Sequence, residues 1–498
     1  MAGYENYYEY IEELGADRDG YVLTNFPYLN NGPKDLIGNS GKGKEYAYRS
    51  YFGRVMYSYA DRYLFQANIR HDGSSRFAKK HRWGTFPSFS AGWVLSEENF
   101  MKNLNWDWLS FLKIRATWGA LGNERIGDFP YMSTIAFGNT IFYQNNGIYF
   151  DQTASQQKYA IENVTWEKTE STDIGLDISF LNNRLRVNGD YYWKNTKDML
   201  LAMAIPDFLG FSDPDVNAGK MSTKGYELNV SWNDHIGDFS YGIAINFSDF
   251  TSKMGDLQGT QFLGDKVKME GSEFNEWYGY VSDGLFLTEE DLKNSPKIND
   301  KNTQLGDIKY KDISGPDGVP DGKISPEYDR VLLGSSLPHF LYGGNINLGY
   351  KNFDLSLAFQ GVGKQNARLA REMVEPFRNN YGNFPAIIDG NYWSPYNTDE
   401  QNAVAKYPRL THVNKSSNYA MSDYWLFNGG YFRLKNITLG YTFPKEWMNA
   451  IGIKGARIYA SASDLFCLSK YPKGWDPEMG VSEYPITTSI LLGVSVNF

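Results

Sequence analysis

The 498-residue sequence predicts an all-β fold, an antiparallel transmembrane β-barrel. Two observations carry that prediction: apolar and polar residues alternate along many segments of barrel-strand length, and the connections between those segments are short at one end and long at the other. Alternation follows from strand geometry, because successive side chains point to opposite faces, and a barrel wall needs one face for lipid and one for a polar interior.

The segments supply the pattern in chain order. Tyr63 to Ile69 and Ile174 to Phe180 show it. From Arg184, the set Leu185, Val187, Tyr191 and Trp193 alternates with Arg186, Asn188, Asp190 and Lys194. Tyr226 to Trp232 repeats it, as do Phe239, Tyr241, Ile243, Ile245 and Phe247 against Asp238, Ser240, Asn246 and Ser248. Phe340 to Tyr350 and Phe353 to Phe359 form a pair across Lys351-Asn352, and Ala456 to Ala462 follows. At the end, Leu492, Val494, Val496 and Phe498 share one face, with Ser489, Gly493, Ser495 and Asn497 on the other.

Very short turns at Ala60-Asp61, Asn182-Asn183, His235 to Asp238 and Lys351-Asn352 alternate with long polar excursions over 73–83, 119–167, 197–222, 251–336, 364–429 and 467–486. Two connectors at the short end, 96–108 and 444–454, are somewhat longer. Short turns facing the periplasm and long loops facing outward are the asymmetry of an outer-membrane barrel. The expected count is about 13–15 membrane strands of about 9–11 residues each, with the ambiguity inside 119–167.

Composition is compatible with this. Aromatic residues make up 16% of the chain, as interfacial girdles require. Mean hydropathy is -0.50, and no run of about 18 apolar residues could form a spanning helix. A net charge of -9 offers no basic stripe for nucleic acid. Cys467 is the single cysteine, so no internal disulfide is possible, and the five histidines mark no zinc-type spacing. No phosphate loop, nucleophile elbow or metalloprotease motif is present, so the chain reads as a non-enzyme. A soluble β-rich, polysaccharide-binding enzyme is the remaining alternative of that kind, and it would need paired acids in a cleft.

Several blocks carry a family resemblance. They are Tyr51 to Phe65, Arg70-His-Asp-Gly-Ser-Ser-Arg-Phe77, Trp83 to Trp93, Leu112 to Gly119, Asn195 to Leu201, Gly306 to Asp312, Asp329 to Gly334, Lys406 to Leu410 and Phe432 to Asn436. In this order they resemble the SusC/RagA family of TonB-linked outer-membrane transporters. The resemblance implies a barrel of about 22 strands with a plugged lumen, a SusD-like lipoprotein lid, and import of oligosaccharides or peptides energised by TonB-ExbB-ExbD through the plug. An outer-membrane barrel with a structural or adhesive role is the alternative function.

On that reading residues 1–49 are the tail of an extracellular loop, and 50–498 are the carboxyl-terminal part of the barrel. The plug and first strands are expected to precede it, in the same or a separate chain. Met1 to Tyr10 has neither the basic start nor the apolar core of a signal peptide. The carboxyl terminus is expected in the periplasm, with Phe498 as an assembly signal. Loops 251–336 and 364–429 are expected to carry contact with the lid, Lys406 to Leu410 adding an Arg anchor.

Two candidate sites follow. The aromatics Tyr392, Trp393, Tyr396, Trp475, Trp277 and Tyr278 offer flat faces for sugars or peptide side chains. The acidic run holding Asp312, Asp317, Asp321 and Asp329, with Gly322, has the look of an EF-hand-like calcium loop with altered spacing. Its alternative is a solvated Asx-turn loop. Arg70, Asp72 and Arg76 sit at a strand end and could face the lumen.

Overall fold

A computed structural model describes residues 1–35, 37–144, 147–156, 158–203, 205–257, 259, 261, 263–299, 301–369, 371–378, 385–479 and 484–498. Parts of the last two excursions, 379–384 and 480–483, lie outside the described residues.

One sheet of fourteen strands dominates. Its strands are β1 (Ala2–Arg18), β2 (Ile37–Tyr59), β3 (Tyr63–Ser74), β4 (Trp83–Val94), β5 (Leu109–Asn123), β6 (Glu167–Phe180), β7 (Leu185–Lys197), β8 (Lys220–Ile236), β9 (Phe239–Met254), β10 (His339–Tyr350), β11 (Phe353–Lys364), β12 (Tyr431–Thr442), β13 (Gly455–Ser469) and β14 (Ser489–Asn497). Strand order follows chain order throughout, so successive connections fall at alternate ends. The count lies inside the expected range only with β1, which was expected as loop; thirteen strands lie in 37–498. The ambiguity over 119–167 resolves into a separate two-stranded hairpin, Ile135–Gln144 with Gly147–Gln156.

The short connections owe their tightness to backbone that ordinary strands avoid. Ala60 and Asp61 both have φ of 52°, Leu181, Asn182 and Asn183 lie between 53° and 64°, and Lys351 is at 51°. Such left-handed residues match the right-handed twist of the flanking strands in two-residue hairpins. Tyr350 then faces Phe353 in register. The two longer connectors contain short helical turns at Asn99–Lys102 and Lys445–Ala450.

The sheet's faces differ as the alternation requires. Val55, Ile69, Leu439, Leu492 and Val494 remain 52–82% exposed, the opposite of what a water-soluble sheet does with its apolar face. On the other face polar side chains bond to each other: Asn68 donates to Ser88 at 3.0 Å, Ser356 to Asn347 at 2.7 Å, and Thr438 shares a 2.8 Å bond with Ser461.

The amino-terminal segment departs from the expected loop tail. Residues 2–18 and 37–49 are strand, paired from Ala2↔Gly53 to Arg18↔Ile37. Cross-strand pairs outweigh the Gly-rich composition: Tyr7 stacks on Tyr48 at 5.3 Å, Tyr48 Oη donates to Glu5 at 2.6 Å, and Lys42 meets Glu13 at 2.8 Å. Tyr10 lies over Gly43, its ring covering bare backbone.

The chain divides into two compact units. One comprises Met1–Trp93, Arg115–Asp173 and Lys194–Met221; the other Val94–Ile114, Ile174–Trp193 and Ser222–Phe498. The first has a small core of Phe77, Phe86, Ile126, Val164 and Trp166, with Trp166 Nε1 donating to the Arg82 carbonyl at 2.9 Å. The core of the second is not in the sheet at all; it lies in the two longest excursions.

Candidate functional site

Excursions 251–336 and 364–429 fold as one body. Tyr280, Leu285, Ile308, Tyr310 and Ile324 from the first pack with Leu369, Val374, Ile388, Tyr407, Tyr419 and Trp425 from the second. Burial pushes the phenols of Tyr310, Tyr419 and Tyr424 well above their usual titration range.

A fully buried carboxylate, Asp307, ties this body together. It accepts from Arg409 Nε at 2.7 Å and Nη2 at 3.2 Å, from Asn414 Nδ2 at 2.8 Å, from Asn418 Nδ2 at 2.9 Å and from the Gln304 backbone N–H at 2.9 Å. A charge in this position is tolerable only because it is paired and bonded at both oxygens. Next to it Gly306 has φ of +83°, and a Cβ there would come within 2.3 Å of the Trp393 indole. The glycine therefore lets the indole lie directly on backbone.

These contacts shape a cavity of about 610 Å³ whose wall includes Tyr392, Trp393, Tyr396, Glu289, Gln304 and Arg409. Its aromatic rim is held by a second set of bonds. Asn397 Nδ2 donates to the Tyr392 carbonyl at 3.0 Å, the Ser394 N–H donates to Asn402 at 3.1 Å, and Thr398 with Gln401 closes a capping box on the turn Asp399–Ala403. Glu289 begins the helix Glu289–Asn294, whose first turn is capped by Thr288. Tyr396 is 96% exposed at the mouth. Flat rings beside a carboxylate and an amide suit a polar ring or an aromatic side chain.

Three of the aromatics expected from the sequence thus meet in one cavity; the others do not. Trp277 donates its Nε1 to the Asn366 carbonyl at 2.6 Å and carries the Lys266 ammonium 4.6 Å from its ring centre. Tyr278 pairs with Leu332 in a small sheet. Trp475 sits in a segment held by Arg433, which donates to Asp476 at 2.5 and 2.6 Å and to Glu478 at 2.8 Å. Arg409, from the run expected as an interface anchor, is turned inward to Asp307. Arg70 bonds Asp72 at 2.8 Å and Glu5 at 3.1 Å, and Arg76 reaches Asp128 at 3.1 Å.

The acidic run that the sequence offers as a calcium loop is bonded largely to its own backbone. Among the described residues no group of three or more Asp, Glu, His or Cys is placed to hold a metal ion. Asp329 instead accepts the N–H groups of Ile313 at 2.8 Å, Ser314 at 3.2 Å and Ser325 at 2.7 Å. Asp312 accepts from Gly322 N–H at 2.6 Å and Asp321 from Lys323 N–H at 3.0 Å. Asp321, Asp329 and one oxygen of Asp312 thus serve the backbone turns of this run.

Comparison with known proteins adds to this geometry. The model of the family described as "TonB dependent receptor-like, beta-barrel" matches residues 3–465. The TonB-dependent receptor SusC of Bacteroides thetaiotaomicron is 32% identical over 90% of this chain and 43% of its own length. TonB-dependent receptor P3 of Formosa agariphila is 31% identical over 96% of this chain and 47% of its own. The solved RagAB peptide transporter superposes with a TM-score of 0.79 at 23% identity, over 100% of this chain and 53% of that one, a likeness of fold. The chain spans about half the length of the curated relatives it matches. An antiparallel wall with an uncovered apolar face, matched along nearly its whole length by this model, identifies the chain as a member of the TonB-dependent receptor-like β-barrel family of the outer membrane, with SusC among its relatives.

Proposed function

We propose that the chain is the barrel component of a TonB-dependent importer of oligosaccharides or peptides, working with a SusD-like surface lipoprotein. The observation that carries this reading is the loop body. The two longest connections leave the same end of the sheet, fold on a buried Asp307–Arg409 pair, and present an open aromatic cavity. A barrel with only a structural or adhesive role has no need of so organised a recess.

In this reading the long connections, including the distal part of the β1–β2 hairpin, are extracellular and the tight turns periplasmic. Excursions 251–336 and 364–429 also carry the lid contact, and the cavity at Trp393 makes early contact with substrate. TonB-ExbB-ExbD acts through a plug belonging to the remaining length that the relatives have.

The test is uptake of labelled oligosaccharide and peptide libraries by the host bacterium, with and without the gene and with and without TonB. Accumulation that requires both supports the proposal. Equal accumulation in the deletion strain counts against it.

A further inference from the structure

Strands β8 and β9 continue beyond the apolar band. On β8, the face that carries the exposed Tyr226 and Leu228 continues into Lys224 and Ser222, because every second residue faces the same way. On β9, the face of Ile243, Ile245 and Phe247 continues into Asp249, Thr251 and Lys253. The apolar positions end at Tyr226 and Phe247, whose ring centres are 5.9 Å apart, and Phe247 stacks on Phe340 at 6.3 Å. Rings at this height form the girdle of a barrel wall. Lys224 lies two residues, about 7 Å along the strand, past that girdle.

On this face is a recess of about 520 Å³, walled by Ser222, Lys224 and Tyr226 of β8, Thr251 and Lys253 of β9, and Tyr191 of β7. The two strands are tied together at this height by a 2.7 Å bond between Thr223 and Ser252. Both lysines are exposed, and neither ammonium has an ion-pair partner among the described residues. The one acid in the wall is Asp249. It shares a 2.8 Å bond with His339 Nδ1 and accepts the Phe340 N–H at 3.3 Å. Glu273, whose backbone bridges to Lys253, has its carboxylate 3.4 Å from His339 Nε2. Both nearby carboxylates are thus engaged at the root of the 251–336 excursion.

The chemistry of the recess selects its occupant. Hydrocarbon does not fill it, since ammonium groups require polar partners. The chain as a whole has a net charge of -9, so two unpaired cations lining one recess reverse the local sign and call for an anion. A phosphate suits lysines, which bind it as point charges. Ser222 and Thr251 offer hydroxyls that donate to or accept from sugar oxygens. The tyrosines beneath them lie where amphipathic rings meet lipid headgroups, and lysines beside a membrane are drawn to anionic headgroups. Lipid is also the phase that already surrounds this face.

We infer that the recess between β8 and β9 binds the phosphorylated sugar headgroup of an outer-leaflet glycolipid, with Lys224 and Lys253 on its phosphate. The inference rests on the membrane reading above, which puts this end of the sheet at the outer leaflet.

The test titrates the full-length receptor, purified from outer membranes and stripped of lipid, with fluorescent lipid A. Lys224→Gln with Lys253→Gln should weaken binding at least about tenfold, whereas Lys224→Arg with Lys253→Arg should retain it. Lys293→Gln with Lys323→Gln makes the same change of charge in the loop body and should bind as the parent does. Dephosphorylated lipid A should bind as weakly to the parent as lipid A does to the Gln variant. Heat-modifiability on gels confirms that each variant is assembled. Undiminished affinity in the Gln variant, equal binding of dephosphorylated lipid A, or displacement of lipid A by inorganic phosphate alone would each overturn the inference. Recovery of the parent outside the membrane fraction would instead overturn the membrane reading on which it rests.

Discussion

Asp307 and Arg409 are 102 residues apart in the chain and share two hydrogen bonds, 2.7 and 3.2 Å long. The pair joins the two longest excursions of the barrel. Removing one partner of a buried ion pair costs about 3–5 kcal/mol because the other charge is left unpaired. Arg409→Ala should therefore open the 251–336 and 364–429 body to limited proteolysis while the barrel still shows normal heat-modifiability. Unchanged protease resistance would show that the apolar core alone holds the loops.

Arg433 has a similar role for the last excursion. It is 3% exposed, and Asp476 and Glu478 come to it from the segment that bears Trp475. Arg433→Met should release that segment, and trypsin should then cleave after Lys473 at least several-fold faster than in the parent. If the rate is the same, the Phe427–Tyr471 contact is sufficient to hold it.

The fold was legible in the sequence wherever a local rule governs it. Alternation in Leu185 to Lys194 and in the last strand, and the tight turns at Asn182-Asn183 and Lys351-Asn352, are decided by neighbours in the chain. The β1–β2 hairpin was missed because Gly38, Gly41 and Gly43 read as loop, whereas cross-strand pairs such as Tyr7 on Tyr48, and the Tyr10 ring over Gly43, compensate for them. The site was half legible. Tyr392, Trp393 and Tyr396 stand close in sequence and do share a cavity, but Asp307, Asn414 and Asn418 meet only through tertiary folding, and no spacing announces them. The acidic run resembles a metal loop because Asp serves calcium and backbone turns equally well, and the backbone bonds of Asp321 and Asp329 are made by folding that no spacing announces.

Alkaline pH should loosen the loop body before the sheet. Burial holds the protons of Tyr310, Tyr419 and Tyr424 more tightly in the folded state than in the unfolded one. The stability they contribute is fully present below about pH 10, the ordinary phenol value, and declines as pH rises above it. Absorbance titration should show a late-ionising tyrosine fraction that becomes normal in Arg409→Ala. A single transition near the ordinary value in the parent would contradict the burial of these side chains.

Phe498 follows the last strand and is 83% exposed. If it is read by the assembly machinery at the periplasmic rim, its deletion should lower the amount of barrel in the outer membrane several-fold while uptake per assembled molecule is unchanged. Quantitative surface immunoblots with parallel uptake assays separate the two quantities. Normal surface levels would remove the role.

The central claim, that this sheet is a membrane wall with one face to lipid, is tested most directly by single-cysteine scanning of Ser489–Asn497 in a Cys467→Ser receptor in native outer membranes. The account predicts two-residue periodicity: positions 492, 494 and 496 resist a water-soluble maleimide and react with a lipid-soluble one, and 493 and 495 do the reverse. Uniform labelling by the water-soluble reagent along the whole strand would contradict it.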